Sequence, residues 1–68
     1  MTPRVSLIIP NWNGETLLPT CLNSLRRQTY RDFEVVVMDN ASSDGSLELL
    51  YRDYPEARII SLPRNLFF

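Results

Sequence analysis

Two short apolar runs constrain this chain more than any other feature: Val5-Ser6-Leu7-Ile8-Ile9-Pro10 and Phe33-Glu34-Val35-Val36-Val37-Met38-Asp39. Both are rich in β-branched residues, and both stop at a polar turn. Runs of this length and continuity suit strands buried on both faces, as in a parallel sheet. Parallel neighbours need a crossover between them. The intervening segment offers one, because Leu17, Leu18, Cys21, Leu22 and Leu25 recur at helical spacing, and Arg26 and Arg27 put cations where the helix dipole favours them. A proline is tolerated in the first turn of a helix, so Pro19 sets the expected start near Thr16. Cys21 lies on the apolar stripe and reads as an inert core residue. Arg26, Arg27 and Arg31 read as a solvated helix end.

After the second run comes a polar turn, Asn40-Ala41-Ser42-Ser43-Asp44-Gly45. Ser43 is the expected N-cap of a second helix, with Asp44 at its first position, where a carboxylate suits the dipole. Leu47, Leu50, Tyr51 and Tyr54 share one face of it, Glu48 and Arg52 are placed to pair four apart, and Pro55 ends it. Arg58-Ile59-Ile60-Ser61-Leu62 is a third short strand before Pro63. The order β-α-β-α-β predicts an α/β fold: a three-stranded parallel sheet with two helices over one face, the first half of a doubly wound, Rossmann-like domain. The first strand and the other sheet face are then expected to be exposed, with self-association through the open edge as one outcome.

The chain has 68 residues, enough for one small unit. A core of that size rarely supplies more than ~3–5 kcal/mol. A single cysteine and no histidine exclude an internal disulfide, a zinc cage and every His-dependent catalytic scheme. Seven arginines against eight carboxylates leave a net charge of −1, which gives no broad field for nucleic acid or lipid headgroups. No apolar run approaches the ~18 residues needed to span a bilayer, and the N-terminus lacks a secretion signal, so a cytoplasmic protein is expected.

In open α/β sheets, ligands bind beyond the carboxyl ends of the strands. Two loops occupy that place, one with Asn11, Trp12, Asn13 and Glu15, the other with Asp39, Asn40, Ser42 and Asp44. A nucleobase needs a flat face to stack on and an acceptor for a ring N–H, and Trp12 and Asp39 are of those types. Each also has a plainer reading: Trp12 as a packing residue, Asp39 as the head of an Asx turn. A calcium loop starting at Asp39 fails, since its sixth position is Asp44 and its twelfth Leu50. Asn40-Ala41-Ser42 is a chance sequon, and neither G-x-G-x-x-G nor a P-loop follows the first strand.

The chain resembles the N-terminal part of a family 2 glycosyltransferase with the GT-A fold. Three segments carry the likeness: Val5 to Gly14, with its P-x-aromatic-N loop; Cys21-Leu22-Asn23-Ser24-Leu25 with Gln28-Thr29-Tyr30; and Phe33 to Ser46, with its D-N-x-S-x-D-G-S turn. The Trp-containing loop is similar to rhamnosyltransferase-like members. The resemblance implies a nucleotide-sugar donor site in which Trp12 stacks on the base, the backbone of Pro10 and Asn11 lines it, and Asp39 bonds the pyrimidine ring. It implies transfer of a sugar from a UDP- or dTDP-linked donor to a saccharide or lipid-linked acceptor. The family's D-x-D pair, which holds Mg²⁺ or Mn²⁺ on the donor diphosphate, and its general base would lie beyond residue 68. Residues 1–68 are therefore expected to be a partial domain without catalytic or metal-binding residues, and without turnover by itself. Phe67 stands where the family has glycine, which puts close approach to the nucleotide there in doubt. A receiver-like signalling module has the same element order, but it needs an acidic cluster after the first strand, where Asn11-Trp12 stands.

Overall fold

A computed structural model of the protein describes residues 5–64; the expectations for Met1–Arg4 and for Asn65–Phe68, including the Phe67 departure, lie outside the described residues. The elements are β1 (Val5–Asn11), α1 (Leu18–Arg26), β2 (Phe33–Asn40), α2 (Ser46–Asp53) and β3 (Arg58–Leu62). The sheet is parallel, in the order β1-β2-β3, with Val5 opposite Phe33, Asn11 opposite Asp39 and Asn40 opposite Leu62. This is the α/β fold expected, with β1 and β2 each one residue longer.

Strand alternation sends Val35 and Val37 of β2 to one face. There they form the core with Leu18 and Leu22 of α1 and with Leu50, Tyr54 and Ala57. Ile9 and Ile59 join from the flanking strands. The other face carries Ile8, Val36, Met38 and Ile60 under no helix. Val36 is still buried because it is central, whereas Ile8 on the edge strand is 55% exposed. Only the central strand is thus covered on both sides, and β1 alternates between half-buried and exposed residues. Pro10, which lacks an N–H, is tolerated because β1 is an edge strand among the described residues.

Both helices are shifted from their expected places. Helix α1 starts at Leu18, after a turn in which Leu17 and Leu18 N–H both donate to Gly14 O. Pro19 falls in the first turn, where no hydrogen bond is lost. The buried stripe is Leu18, Leu22 and, partly, Leu25. Leu17, before the helix, is 73% exposed, and Cys21, on the flank of the stripe, is exposed rather than core. Helix α2 has Gly45, not Ser43, as its N-cap. The Ser43 and Asp44 N–H groups donate to a side chain of the other loop, and the helix's first hydrogen bond runs from Leu49 N to Gly45 O. Its buried face turns accordingly to Ser46 and Leu50, with Leu49 partly buried and Tyr51 left in solvent. Arg52 pairs with the adjacent Asp53 instead of Glu48.

Arg26 is exposed, as expected of a solvated helix end, but it is not unpaired. Its Nη2 donates to Glu56 Oε1 at 2.9 Å and to Asp53 O at 2.6 Å, and its guanidinium lies 4.3 Å from the Tyr54 ring centre. Tyr54 Oη donates in turn to Asn23 Oδ1 at 3.0 Å. The C-terminus of α1 is thereby tied to the α2–β3 connection, at the end of the sheet away from the two loops.

Leu50 is fully buried among both helices and the sheet. Truncating such a side chain costs about 2–5 kcal/mol, as much as a core of this size supplies. Leu50→Ala is expected to abolish the cooperative urea transition followed by far-UV circular dichroism. Leu17→Ala should move the unfolding free energy by no more than ~0.5 kcal/mol.

Candidate functional site

The C-terminal ends of β1 and β2 lie side by side, since Asn11 and Asp39 are register partners. Asn11 is buried, Asp39 is 0% exposed, and the two are bonded: Asn11 Nδ2 donates to Asp39 Oδ1 at 2.8 Å. The next residue on β1's side, Trp12, is 49% exposed, and Pro10 is exposed on the open face. Of the four residues singled out from the sequence, the fold therefore joins Asn11 and Asp39 by a hydrogen bond. It leaves Pro10 and Trp12 at the surface beside them.

A buried carboxylate is costly unless donors surround it. Here three surround Asp39. Besides Asn11 Nδ2, Ser42 Oγ donates to Oδ1 at 2.7 Å and Ser42 N to Oδ2 at 3.0 Å. The plainer reading of Asp39, a carboxylate bonded to a loop amide, is thus present in the structure, though the amide is that of Ser42, one residue beyond the one an Asx turn uses. Two backbone features allow it. Ala41 takes φ 59°, folding Ser42 back over the strand end; for a residue with a Cβ this costs roughly 1–2 kcal/mol. At Gly14 a Cβ would stand 2.2 Å from Asn11 Oδ1, so a side chain there would push Asn11 off Asp39.

Residues outside the four complete the arrangement. Asn11 Nδ2 also reaches Ser42 Oγ at 3.2 Å, and Asn13 N donates to the same oxygen at 2.9 Å. Asn13 Oδ1 accepts from Ser43 N at 2.7 Å and Asp44 N at 3.2 Å. Glu15 N donates to Asp44 Oδ2 at 3.1 Å, and Glu15 Oε1 accepts from Gly45 N at 3.0 Å. Asp44 Oδ1 accepts from Ser46 N at 3.0 Å, which places its carboxylate just outside the start of α2 instead of within it. Sequence reasoning located these residues in the right loops but gave Asn13, Glu15 and Ser42 no role and read Ser43 and Asp44 as the start of α2. The available signal was the pairing of two Asn/Ser/Asp-rich turns at the same sheet edge, each short of backbone partners.

The chemistry on offer is an exposed indole beside a fixed, hydrogen-bonded polar edge. Two clefts open elsewhere. One of about 280 Å³ is lined by residues that include Leu22, Arg26, Phe33 and Glu56, and one of about 260 Å³ by residues that include Val5, Tyr30 and Phe33. Neither includes Trp12 or Asp39. Among the described residues no group of three or more Asp, Glu or Cys side chains comes together to hold a metal ion. No helix among them is long and apolar enough to cross a membrane.

Comparison with known proteins gives a consistent set of matches. Residues 6–68 match the family described as Glycosyl transferase family 2. The chain is 47% identical over 47 residues to a PGL/p-HBAD biosynthesis glycosyltransferase of Mycobacterium tuberculosis, covering 69% of this chain and 18% of that protein. It is 38% identical over 66 residues to the chondroitin synthase of Pasteurella multocida, covering 93% of this chain and 7% of that one. Among solved structures, a mannosyltransferase from Pyrobaculum calidifontis in complex with GDP-Man and Mn²⁺ superposes with TM-score 0.85 at 28% identity, over 100% of this chain and 22% of that one. S. aureus TarS in complex with UDP superposes with TM-score 0.81 at 32% identity, over 90% of this chain and 19% of that one. The chain therefore spans less than a fifth of the length of these curated relatives.

The Asp44 carboxyl is held below the usual carboxylate range: desolvation at the turn opposes this, but hydrogen bonds from Ser46 Oγ, Ser46 N and Glu15 N outweigh it. A depressed folded pKa adds stability that is present above the unfolded value, about 3.9 for Asp, and is lost as the pH falls through the folded value. Asp53 and Glu56, lowered by their hydrogen bonds to Arg52 and Arg26, act with the same sign. Urea midpoints are expected to fall as the pH is lowered through this range. The decline should be shallower in Asp44→Asn than in the parent; parallel declines would remove Asp44 from the balance.

Proposed function

The chain belongs to glycosyl transferase family 2, and from that premise we propose that residues 1–68 form the donor-nucleotide-binding part of a longer enzyme. That enzyme would transfer a sugar from a UDP- or dTDP-linked donor to a saccharide or lipid-linked acceptor. The observation that carries the proposal is the half-exposed Trp12 at the carboxyl edge of a parallel sheet, one residue beyond the bonded Asn11–Asp39 pair. A flat apolar face next to an ordered polar edge is what a nucleobase requires. In this reading Trp12 takes the stacking face, the backbone of Pro10 and Asn11 lines the base, and Asp39 accepts a ring N–H.

The choice of base follows from the way Asp39 is already engaged. Among the described residues Oδ1 accepts two donors and Oδ2 one, so within these Oδ2 is the oxygen with room for another. Uracil and thymine present a single N3–H, whereas guanine presents two adjacent donors that would call on both oxygens. A UDP- or dTDP-linked donor fits better, although the mannosyltransferase neighbour carries GDP-Man. A divalent metal on the donor diphosphate would be held by residues beyond this chain and would offset charge on the leaving group. The chain alone is proposed to bind nucleotide weakly and to turn nothing over.

A second reading rests on the open edge of β1 and the exposed Ile8: a second copy pairs there. Light scattering coupled to size exclusion decides it; a dimer that Ile8→Lys converts to monomer supports pairing, and a parent chain that elutes as a monomer removes it.

Calorimetric titration with UDP, dTDP and GDP tests the donor reading. UDP or dTDP should bind more tightly than GDP, and Trp12→Leu and Asp39→Asn should each weaken binding by about tenfold or more, the size of one lost stacking or charge-assisted contact. Affinities for Trp12→Leu and Asp39→Asn that equal the parent's would overturn the site.

A further inference from the structure

Trp12 stands between two asparagines whose bonds converge on one hydroxyl. Asn11 Nδ2 and Asn13 N both donate to Ser42 Oγ, and that hydroxyl gives its own proton to Asp39 Oδ1. Both lone pairs and the proton of Ser42 are then in use. Asn13 adds a second tie, because its Oδ1 accepts from the N–H groups of Ser43 and Asp44. Its backbone lies at φ 52°, the left-handed region that Asn enters more readily than other residues with a side chain. In that conformation the main-chain N–H and the side-chain oxygen of one residue reach consecutive residues of the same turn.

We propose that Asn13 is a positioning residue for nucleotide binding: it locks the loop that carries Trp12 onto the 42–44 turn, so that a base meets an indole already in place. This rests on the reading that a base stacks on Trp12. Asn11 cannot do this alone. It fixes the loop on the strand side, and Glu15 fixes it on the helix side through Asp44 and Gly45; without Asn13 the stretch between them, which carries Trp12, is left to swing. A half-exposed indole on such a segment would have to be ordered when the ligand arrives, which weakens binding. The Asn13 side-chain oxygen is taken up by the amides of Ser43 and Asp44.

Trp12 is the only tryptophan, so tryptophan fluorescence reports on this loop and nothing else. Two substitutions separate backbone from side chain. Asn13→Gly keeps the left-handed conformation and removes the acceptor; Asn13→Asp keeps an acceptor at the same reach. Time-resolved anisotropy without nucleotide should show faster Trp12 motion in Asn13→Gly, and calorimetry should show UDP binding about tenfold weaker, a typical cost of ordering a loop side chain. Asn13→Asp should restore both. Circular dichroism checks that each variant is folded, and Asn13→Ser, whose oxygen falls short of the Ser43 amide, replaces Asn13→Gly if the latter is not. Unchanged anisotropy in Asn13→Gly, unchanged UDP affinity, or an Asn13→Asp chain that behaves like Asn13→Gly overturns the proposal. Trp12→Leu keeps the two ideas apart: if it binds UDP like the parent, the stacking reading itself fails, whereas weakened binding there with none in Asn13→Gly removes the positioning role alone.

Discussion

The buried carboxylate of Asp39 is the constraint around which this end of the molecule is arranged. A charge at the tip of the central strand, with no solvent to stabilise it, is tolerable only where donors close on it. Those donors come from both sides, Asn11 from the end of β1 and Ser42 from the turn after β2. Neither loop can therefore settle independently of the other. The left-handed Ala41 and the side-chain-free Gly14 follow from the same requirement, one turning Ser42 inward and the other leaving room for Asn11.

The two ends of the sheet are held by different physics. At the carboxyl end the ties are short polar side chains around one buried charge, a geometry that tolerates little displacement. At the other end Arg26 lies in solvent, over Tyr54 and against Glu56, and contributes orientation more than energy. Between them the apolar core is confined to one face of three strands. The carboxyl edge is thus the more closely specified part of a unit whose core is small, as the site proposed above would require.

Membership of glycosyl transferase family 2 and the solved relatives give this edge its meaning without assigning each residue a task. The structure separates two properties that the motif places side by side. Trp12 is outward and available, while Asp39 is inward and already bonded.

Much of this was legible in the chain itself. The apolar runs and the helical repeat between them determined three parallel strands and two helices, because periodicity and run length act locally and buried strands tolerate little else. Pro19 and Pro55 marked a helix start and a helix end for equally local reasons. What tertiary structure alone decided were contacts between residues about thirty positions apart: Asn13 taking the amides of Ser43 and Asp44, and Arg26 finding Glu56. Exposure of Cys21 and Tyr51 was decided in the same way, by which side of each helix the sheet came to meet. A hydrogen bond of that span depends on two loops arriving at one sheet edge together, and nothing within either loop records where the other will be.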